Sequence, residues 1–295
     1  MSSKKRVAVT GGSGKIGHAV CEALVARGDE VFNLDRRMPE KPAGKFVFCD
    51  LRQRAQFQPV FEQVDAVCHL GELPHPRASS PEDVFGTNTT VGSLVMQTAA
   101  EVKVKQLIYT SSCQAYGQWD WPTVPPTSLP FDETMPLQPQ NCYALSKMAN
   151  ENYARLVARK NPEMCIAAFR FPWVIIDPLQ HRWMRELLGE PVTFVEGFGT
   201  YLHVSDAVTA YLGAIDNPRP GFEAYHFAAA KVRHSKPLRQ LMEKFNPDYP
   251  PLPPDWPDQK SPVITDKAKS HLGWEPKWDL RDYLTKQAQS AQNSQ

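Results

Sequence analysis

The sequence predicts an α/β fold with a doubly wound parallel sheet, and three observations carry this prediction. Short apolar runs of strand length alternate with longer segments whose apolar residues recur at helical spacing. The first apolar run ends directly in a glycine-rich turn. Later runs end in a polar residue or a glycine. Because such sheets collect ligands at the carboxyl ends of their strands, we predict a layered domain with a ligand site at that edge.

The glycine-rich turn is TGGSGKIG, residues 10–17, between the first predicted strand and the first predicted helix. Gly11, Gly14 and Gly17 have the spacing in which one glycine permits a tight turn, one lets the backbone approach a pyrophosphate, and one lets the helix lie close to the strand. The first predicted helix ends before Gly28, which is placed as its C-cap. The start of the same helix directs free N–H groups at the phosphates. We predict a dinucleotide site here. An ordinary βαβ unit without a ligand is the alternative.

A carboxylate ends the second predicted strand, residues 31–35. Asp35 lies 18 residues after Gly17, close to the separation of about 20 that is typical of the acid binding the adenosine ribose. This acid accepts hydrogen bonds from the ribose hydroxyls and repels a 2′-phosphate, so it favours NAD over NADP. Arg36 and Arg37 weaken this inference, because an arginine here can accommodate a 2′-phosphate. We predict NAD as the cofactor.

The remaining elements follow the same alternation up to Pro172. Strands are predicted at residues 46–49, 66–70, 106–112 and 165–171, and helices at residues 56–63, 83–102 and 143–160. Beyond Pro172 the alternation weakens, with predicted helices at residues 182–188 and 204–215 and a late strand at residues 225–230. We predict a dinucleotide-binding domain over residues 1–172, to which the chain returns at about 204–230, and mainly a substrate-binding lobe over residues 173–295.

Two neighbouring segments have a predicted packing role. The helix at residues 143–160 carries one apolar stripe. Its members are Leu145, Met148, Ala149, Tyr153, Leu156 and Val157. The proline-rich stretch before it, residues 122–141, is too long for a simple connection, and loops of that length are usually functional. Trp119, Trp121 and Phe131 are expected to hold this stretch down as one wall of a pocket.

The third and fourth predicted strands lead to Asp50 and to the turn His69-Leu70-Gly71. We expect both near the cofactor, because they follow strand ends. Asp50 can cap the adenine amino group, or it can be the N-cap of the helical segment that follows. The sequence is compatible with both functions of Asp50.

Composition narrows the class of partner. The chain has 33 basic and 32 acidic residues, so neither nucleic acid nor an anionic membrane is predicted as a partner. The six cysteines include no Cys-x-x-Cys pair, and several lie in apolar runs. We therefore predict no metal site and a reduced, cytoplasmic protein. The polar, basic start of the chain predicts neither a signal peptide nor a membrane span.

Tyr143 and Lys147 are four residues apart on a predicted helix, which brings a phenol and an ammonium to one face. A tyrosine loses its proton near pH 10, but an adjacent lysine favours the phenolate. Lowering a tyrosine pKa by ~3 units needs roughly 4 kcal/mol, which a partly dry cleft can supply. Ser112, at a predicted strand end, can hold the reacting oxygen against the tyrosine. The alternative is an accidental Tyr-x-x-x-Lys pattern on an amphipathic helix.

Taken in order, these residues resemble the extended short-chain dehydrogenase/reductases, in particular the NAD-dependent epimerase/dehydratase group. The matching motifs are TGGSGKIG at 10–17, Asp35, Asp50-Leu51, His69-Leu70, Asn88 with Gly92, Thr110-Ser111-Ser112 with Ala115-Tyr116-Gly117, Asp132-Glu133, Pro139, Tyr143-Ala144-Leu145-Ser146-Lys147, Arg170, His203-Val204-Ser205-Asp206 and Leu272-Gly273-Trp274-Glu275-Pro276. They span nearly the whole chain. The resemblance implies a Rossmann domain followed by a smaller C-terminal substrate-binding lobe.

The resemblance also implies roles for individual residues. Ser112, Tyr143 and Lys147 are implied as the catalytic residues, with Lys147 also holding the nicotinamide ribose. Cofactor contacts are implied for Gly11, Gly14, Lys15, Ile16, Gly17, Asp35, Asp50, Leu51, Leu70, Asn88, Tyr143 and Lys147. Members of the family are commonly dimers joined through two long helices, here the segments at Val84 and Tyr143. We therefore expect a homodimer.

The sequence departs from the family pattern on the substrate side. Where many nucleotide-sugar epimerases have Arg-x-x-Asn, this chain has an arginine followed by Phe-Pro and Trp173. Gly71-Glu72 replaces the usual pair of alanines. These differences favour a compact substrate. Besides Ser112 and Trp173, candidates for contacting it are Arg182, Arg185, Arg233 and His234. For the three arginines, a solvated surface position is the alternative.

We therefore predict an NAD-dependent oxidoreductase that acts at a secondary alcohol of a sugar or sugar-derived substrate, with Tyr143 as the general base. Reduction of a retained keto intermediate from its other face gives an epimerase, whereas its release gives a dehydrogenase. One alternative is a dehydrogenase of a small non-nucleotide substrate, such as a uronate or a hydroxy or amino acid. The other is a non-catalytic dinucleotide-binding sensor, against which the intact Ser112, Tyr143 and Lys147 argue.

Overall fold

The computed structural model describes residues 4–119, 123–177 and 196–292. The strands are β1 (Arg6–Thr10), β2 (Glu30–Asp35), β3 (Lys45–Phe48), β4 (Ala66–His69), β5 (Gln106–Ser112), β6 (Cys165–Phe171), β7 (Trp173–Ile175), β8 (Tyr201–His203) and β9 (Gly221–His226). The helices are α1 (Lys15–Arg27), α2 (Gln58–Phe61), α3 (Pro81–Glu101), α4 (Cys142–Lys160), α5 (Val204–Asp216), α6 (Leu238–Phe245), α7 (Asp266–Leu272) and α8 (Leu280–Gln292).

Seven of these strands form one sheet in the order β3-β2-β1-β4-β5-β6-β9, and β7 pairs with β8 beside it. Every pairing is parallel. The chain moves outward from β1 to β3, returns to β4 on the other side of β1, and continues outward to β9. The switch point therefore lies between β1 and β4, where doubly wound sheets bind ligands. The predicted fold class is confirmed.

Helices cover both faces of the sheet. On one face α3 and α4 contribute Val95 and Ala154 to an apolar cluster over the strands. On the other face α1 and α5 contribute Leu24 and Tyr211 to a second cluster. Strands buried on both faces need apolar side chains at successive positions, which explains the continuous apolar runs of β1 and β4.

Two predicted elements differ in extent from those of the structure. The late strand predicted at residues 225–230 is β9, which begins four residues earlier and pairs with β6 along its length. The helix predicted at residues 56–63 is instead a 3-10 turn followed by the short α2. Pro59 stands in the first turn of α2, where the helix needs no N–H donor, and so marks its start. The helix predicted at residues 182–188 lies outside the described residues.

Helix α4 buries a face that includes charged and polar side chains, and of the predicted apolar stripe it fully buries only Val157. Leu145 and Leu156 of that stripe are exposed, whereas Lys147, Asn150 and Glu151 are buried. These polar side chains tolerate burial because each has a hydrogen-bonded partner on an element packed against the helix. The predicted stripe was therefore wrong for Leu145 and Leu156, because hydrophobic periodicity takes no account of ion pairs.

The proline-rich segment before α4 is packed down, as predicted. Trp119 and Phe131 are buried in one apolar cluster. Phe131 donates its N–H to the Pro262 carbonyl at 3.0 Å and accepts from the Ile264 N–H at 2.9 Å. These bonds join this segment to the end of a second proline-rich segment, residues 247–262. Trp121 lies outside the described residues.

Three general properties follow from the described part of the chain. All six cysteines are free thiols. Within the described ranges, no helix combines the length and the apolar character needed to cross a bilayer. The same residues include no group of three or more His, Cys, Asp or Glu side chains that could hold a metal ion.

Candidate active site

The turn between β1 and α1 has the geometry of a phosphate cradle. Gly11 adopts a φ of +68°, in the left-handed region that glycine tolerates. A Cβ on Gly17 would lie 2.2 Å from the Gly11 carbonyl oxygen, so no larger residue fits where α1 approaches the turn. Gly14 is the N-cap of α1 and provides no side-chain cap, and the first turn, which includes Lys15 and Ile16, holds no acidic residue. The N–H groups at this helix start are therefore suited to a phosphate.

Asp35, at the end of β2, directs its carboxylate toward the glycine turn. Its Oδ2 accepts from the Ser13 N–H at 3.1 Å, and its Oδ1 accepts from the Arg37 N–H at 3.0 Å. The side chains of Arg36 and Arg37 are exposed. In dinucleotide sites a carboxylate at this strand end meets the adenosine ribose, so the position of Asp35 fits its predicted role.

Asp50 follows β3 at the same edge of the sheet. Its carboxylate accepts from the Arg52 N–H at 3.0 Å and pairs with the Arg52 guanidinium. This hydrogen bonding lowers the pKa of Asp50 to about 2. The interpretation of Asp50 as a helix N-cap is wrong, because the 3-10 turn that follows begins after Gln53 without a side-chain cap.

Leu51 and Leu70 lie where the segment after β3, β4 and the glycine turn meet. Leu70 donates its N–H to the Thr10 carbonyl at 3.1 Å. A Cβ on Gly71 would lie 2.3 Å from Leu51 Cδ1 and 3.1 Å from the Gly11 nitrogen. The glycine that replaces the family's alanine therefore lets these segments approach closely beside the predicted cofactor site.

Asn88, buried in α3, fixes the loop after β4. Its Oδ1 accepts from the Leu73 N–H at 2.8 Å, and its Nδ2 donates to the Leu73 carbonyl at 3.1 Å and to Ser146 Oγ at 3.2 Å. These bonds give Asn88 a loop-holding function. A direct contact between Asn88 and the cofactor stays a prediction.

Strand β5 and helix α4 bring Ser112 and Tyr143 to the carboxyl edge of the sheet. Ser112 Oγ accepts from the Gln114 N–H at 3.2 Å. Asn141, the N-cap of α4, donates to Gln114 Oε1 at 3.2 Å, so the start of α4 is tied to the turn that follows Ser112. Ser112 and Tyr143 are each only 7% exposed. Both side chains are therefore mostly covered by protein.

Lys147 lies beside Tyr143, as the four-residue spacing predicts. Its Nζ is 5.3 Å from the centre of the Tyr143 ring. The ammonium donates to the Thr110 carbonyl at 2.7 Å, which anchors it to the end of β5. The structure thus brings a phenol and a buried cation together at the edge of the sheet where ligands bind.

Glu72 is a residue of this site that sequence reasoning did not assign to it. Its side chain is 3% exposed and forms an ion pair with Lys147, and Asn150 Nδ2 donates to it at 2.8 Å. Burial alone would raise the pKa of Glu72, but Lys147 and His69 lower it below its usual range. Burial would likewise lower the pKa of Lys147, yet Glu72 and Tyr143 raise it. The available signal was an acid at a strand end where the family has alanine.

A second buried ion pair lies on the next turn of α4. Arg170 of β6 donates through Nε and Nη2 to the two carboxylate oxygens of Glu151, at 2.9 and 2.7 Å. Ser111 Oγ donates to the same carboxylate at 2.7 Å. Arg170 also donates to the Tyr116 hydroxyl, which lies 2.6 Å from His226 Nε2. This network connects β5, β6, β9 and α4.

Of the predicted substrate residues, the structure describes Ser112, Trp173, Arg233 and His234, whereas Arg182 and Arg185 lie outside the described residues. Trp173 begins β7 and is 41% exposed. Arg233 and His234 are buried, so the interpretation of Arg233 as a solvated surface residue is wrong. Arg233 donates its backbone N–H and its guanidinium to carbonyl groups of the turn before β8. Contact between these residues and a substrate stays a prediction.

The chain matches a known protein family over more than half of its length. The profile of the NAD-dependent epimerase/dehydratase family matches residues 7–175, which run from β1 to the end of β7. The chain belongs to this family. It is therefore an enzyme of the extended short-chain dehydrogenase/reductase type, as the sequence motifs predict.

Other family members resemble the chain over most of its length. The UDP-glucose 4-epimerase of Erwinia amylovora is 27% identical over 270 residues, covering 76% of this chain and 78% of that protein. The human dTDP-D-glucose 4,6-dehydratase is 25% identical and covers 96% of this chain and 88% of that protein.

Solved structures share the fold over nearly the whole chain. The UDP-glucose 4-epimerase of Thermotoga maritima with UDP-glucose has a TM-score of 0.70 at 25% identity, covering 93% of this chain and 94% of that chain. A short-chain dehydrogenase/reductase superfamily protein of Agrobacterium tumefaciens with bound NAD has a TM-score of 0.73 at 21% identity, covering 98% of both. The likeness therefore extends beyond residues 7–175 into the C-terminal part.

NAD is the cofactor of this family, and the residues present fit it. The cradle at Gly11 and Gly17 leaves no space for a Cβ, the start of α1 has no side-chain cap, and Asp35 lies beside the turn. Contacts of Gly14, Lys15 and Ile16 with the cofactor stay predictions. When bound, NAD supplies a hydride acceptor, and its reduced form a hydride donor.

Proposed function

We propose that this protein oxidises a secondary alcohol of a sugar or sugar-derived substrate, with NAD as cofactor and Tyr143 as the general base. The observation that carries the proposal is the position of the buried Lys147 ammonium, 5.3 Å from the centre of the Tyr143 ring, at the carboxyl edge of the sheet. A cation beside a phenol favours the phenolate, which a base needs and a protein that only binds a dinucleotide does not.

Each residue has a defined part in the proposed reaction. Tyr143 accepts the proton of the substrate hydroxyl at its phenolic oxygen, while Ser112 Oγ hydrogen-bonds the same substrate oxygen. Lys147 stabilises the negative charge on Tyr143 and binds the nicotinamide ribose hydroxyls. Asp35 accepts hydrogen bonds from the adenosine ribose. Ser112 and Tyr143 are each only 7% exposed, and this low exposure limits competition from water for these hydrogen bonds.

The substrate class is supported by the relatives of the chain. They are named as UDP-glucose 4-epimerases and dTDP-D-glucose 4,6-dehydratases, and one solved structure holds UDP-glucose. A sugar carries the secondary alcohols on which the proposed base acts. The half-exposed Trp173, at the position of the family's asparagine, offers a flat apolar surface on which a sugar ring can stack.

A substrate panel tests the proposal. The purified protein is incubated with NAD and sugars, uronates, hydroxy acids or nucleotide sugars, and both NADH absorbance and product are measured. Net NADH formation with a sugar-derived compound identifies a dehydrogenase, and product without net NADH identifies an epimerase or dehydratase. Turnover confined to hydroxy acids, or absent from the whole panel, contradicts the proposal.

We further propose a homodimer joined through α3 and α4. These two helices pack side by side and expose Phe85, Leu145 and Leu156, which are 36%, 41% and 36% exposed.

For the division of the chain, we propose that residues 1–172 and about 204–230 bind the dinucleotide and that the other C-terminal residues bind the substrate. The free thiols support a cytoplasmic location, because disulfides are rare in that reducing compartment.

A further inference from the structure

Glu72 is held in place by the loop after β4. Its N–H donates to the Leu70 carbonyl at 3.0 Å. The next residue, Leu73, is clamped through both its N–H and its carbonyl by the side chain of Asn88. The loop is therefore fixed from both sides, and the Glu72 carboxylate has little freedom to leave its position.

The carboxylate of Glu72 lies among polar groups from three elements. Lys147 and Asn150 approach it from α4, the latter donating at 2.8 Å. The Tyr109 hydroxyl of β5 donates to it at 3.3 Å, and His69 Nε2 of β4 lies 3.4 Å from it. The side chains of Glu72 and Lys147 are 3% and 4% exposed. With so little water to screen it, the charge of Glu72 acts strongly on its neighbours.

We propose that Glu72 is a positioning residue for Lys147, which holds the ammonium at the end of β5 and offsets part of its positive charge at the Tyr143 phenol. Glu72 thereby sets the pH range in which the base works. This inference rests on the proposed function, because it takes Tyr143 as the base and Lys147 as its activator.

The direction of the effect follows from the charges. The Lys147 cation favours the Tyr143 phenolate, and a carboxylate next to that cation opposes the effect. A neutral residue at position 72 therefore strengthens the action of Lys147 on the phenol. It also makes Lys147 lose its own proton more readily. Both limbs of an activity profile then move to lower pH.

The other titratable groups that face the pair are His69 from β4, Tyr109 from β5, and Tyr143 and Glu151 from α4. Glu151 is neutralised by its own partner, Arg170. The Glu151–Arg170 pair lies one turn further along α4, away from the Tyr143 phenol. Glu72 differs from Glu151 because its partner is Lys147, the cation beside Tyr143.

The variant that tests this proposal is Glu72→Gln, which keeps the size of the side chain and removes the charge. With the most active compound of the substrate panel, we expect both limbs of the kcat profile to move to lower pH by about one unit. Glu30→Gln is the matched control, because Glu30 pairs with Lys45 at the opposite end of the sheet. The control profile is expected to be unchanged.

A second measurement needs neither substrate nor cofactor. Tyrosinate absorbance is followed against pH in the parent protein and in Glu72→Gln, each with and without Tyr143→Phe, so that subtraction isolates the Tyr143 signal. We expect this signal to begin at lower pH when Glu72 is replaced. An unshifted signal together with an unshifted profile overturns the proposal.

Glu72→Ala serves if Glu72→Gln does not fold, since alanine is the family's usual residue there. It is expected to shift both measurements in the same direction. Loss of folding in both variants also contradicts the proposal, because it assigns Glu72 a structural function alone. Full activity of Tyr143→Phe instead defeats the proposed function. An inactive Tyr143→Phe with unshifted Glu72 variants defeats only the present inference.

Discussion

At the scale of single residues, the candidate site combines a phenol, an ammonium and a carboxylate that are mostly covered by protein. Tyr143 and Ser112 are almost buried, the Lys147 ammonium lies beside the Tyr143 ring, and Glu72 pairs with that ammonium. Because weak solvent screening strengthens electrostatic interactions, a change of one atom at this site has a large effect on chemistry and a small effect on packing.

Replacing Tyr143 by Phe tests the base directly. The variant lacks only the hydroxyl that accepts the proton, so we expect turnover to fall by at least about a hundredfold. NAD affinity, measured by calorimetry, is expected to stay nearly unchanged. Tyr153→Phe is the control on the same helix, because the Tyr153 hydroxyl bonds Gln97 at 3.1 Å away from the site. An active Tyr143→Phe removes the proposed base.

Asp35 is expected to decide the choice between NAD and NADP. Calorimetric titration of the parent protein should give clearly tighter binding of NAD. In Asp35→Ala the lost hydrogen bonds to the ribose should weaken NAD binding by about tenfold or more, with NADP affected less. Glu22→Ala, on the exposed face of α1, is the control. A preference of the parent for NADP contradicts the role of Asp35.

At the scale of elements, the buried polar residues of α4 both form part of the candidate site and anchor the helix to the sheet. Its first turns carry Tyr143 and Lys147, and its next turn carries Glu151, which binds Arg170 of β6. Removing one member of such a buried pair leaves an uncompensated charge, which commonly destabilises a protein by about 3–5 kcal/mol. The ion pair therefore holds the helix that carries Tyr143, the proposed base.

The contact between β9 and this network predicts a dependence of stability on pH. Burial, aided by Arg170, lowers the pKa of His226 to about 3 from its usual 6.5. Between these values the unfolded chain binds a proton that the folded protein does not, so stability falls as pH falls below about 6.5. Each pH unit in this range is expected to remove up to about 1.4 kcal/mol.

The measurement is the melting temperature of the parent, His226→Gln and His75→Gln between pH 7 and pH 5. We expect a shallower decline in His226→Gln than in the parent, because its side chain has no proton to gain. His75 is exposed, so His75→Gln should follow the parent. Equal slopes in all three proteins contradict the assignment. The slope is the quantity compared, since either substitution also changes the melting temperature itself.

At the scale of the whole molecule, the exposed apolar residues of α3 and α4 predict self-association. Leu145→Glu with Leu156→Glu places charges in the proposed interface, and we expect the dimer to dissociate in analytical ultracentrifugation. Val25→Glu, on an equally exposed residue of α1 across the sheet, should remain dimeric. A monomeric parent protein contradicts the proposed homodimer.

Much of the fold was predictable from local pattern. Strand runs such as 106–112 and 165–171 are confirmed as β5 and β6, because strands covered on both faces carry apolar side chains at most successive positions. The boundary of β9 and the division of the 56–63 segment were not predictable. Their limits depend on pairing with β6 and on the position of one proline within a very short helix.

The sequence by itself determined the glycine cradle, the acid at Asp35 and the Tyr143–Lys147 pair, since backbone conformation and helical spacing constrain these over a few residues. Only the tertiary structure decided which face α4 buries and that Lys147 meets Glu72, a residue 75 positions away. The order of strands in the sheet brings those two segments together. A charged residue is recognisable as a buried partner only when the opposite charge beside it is known.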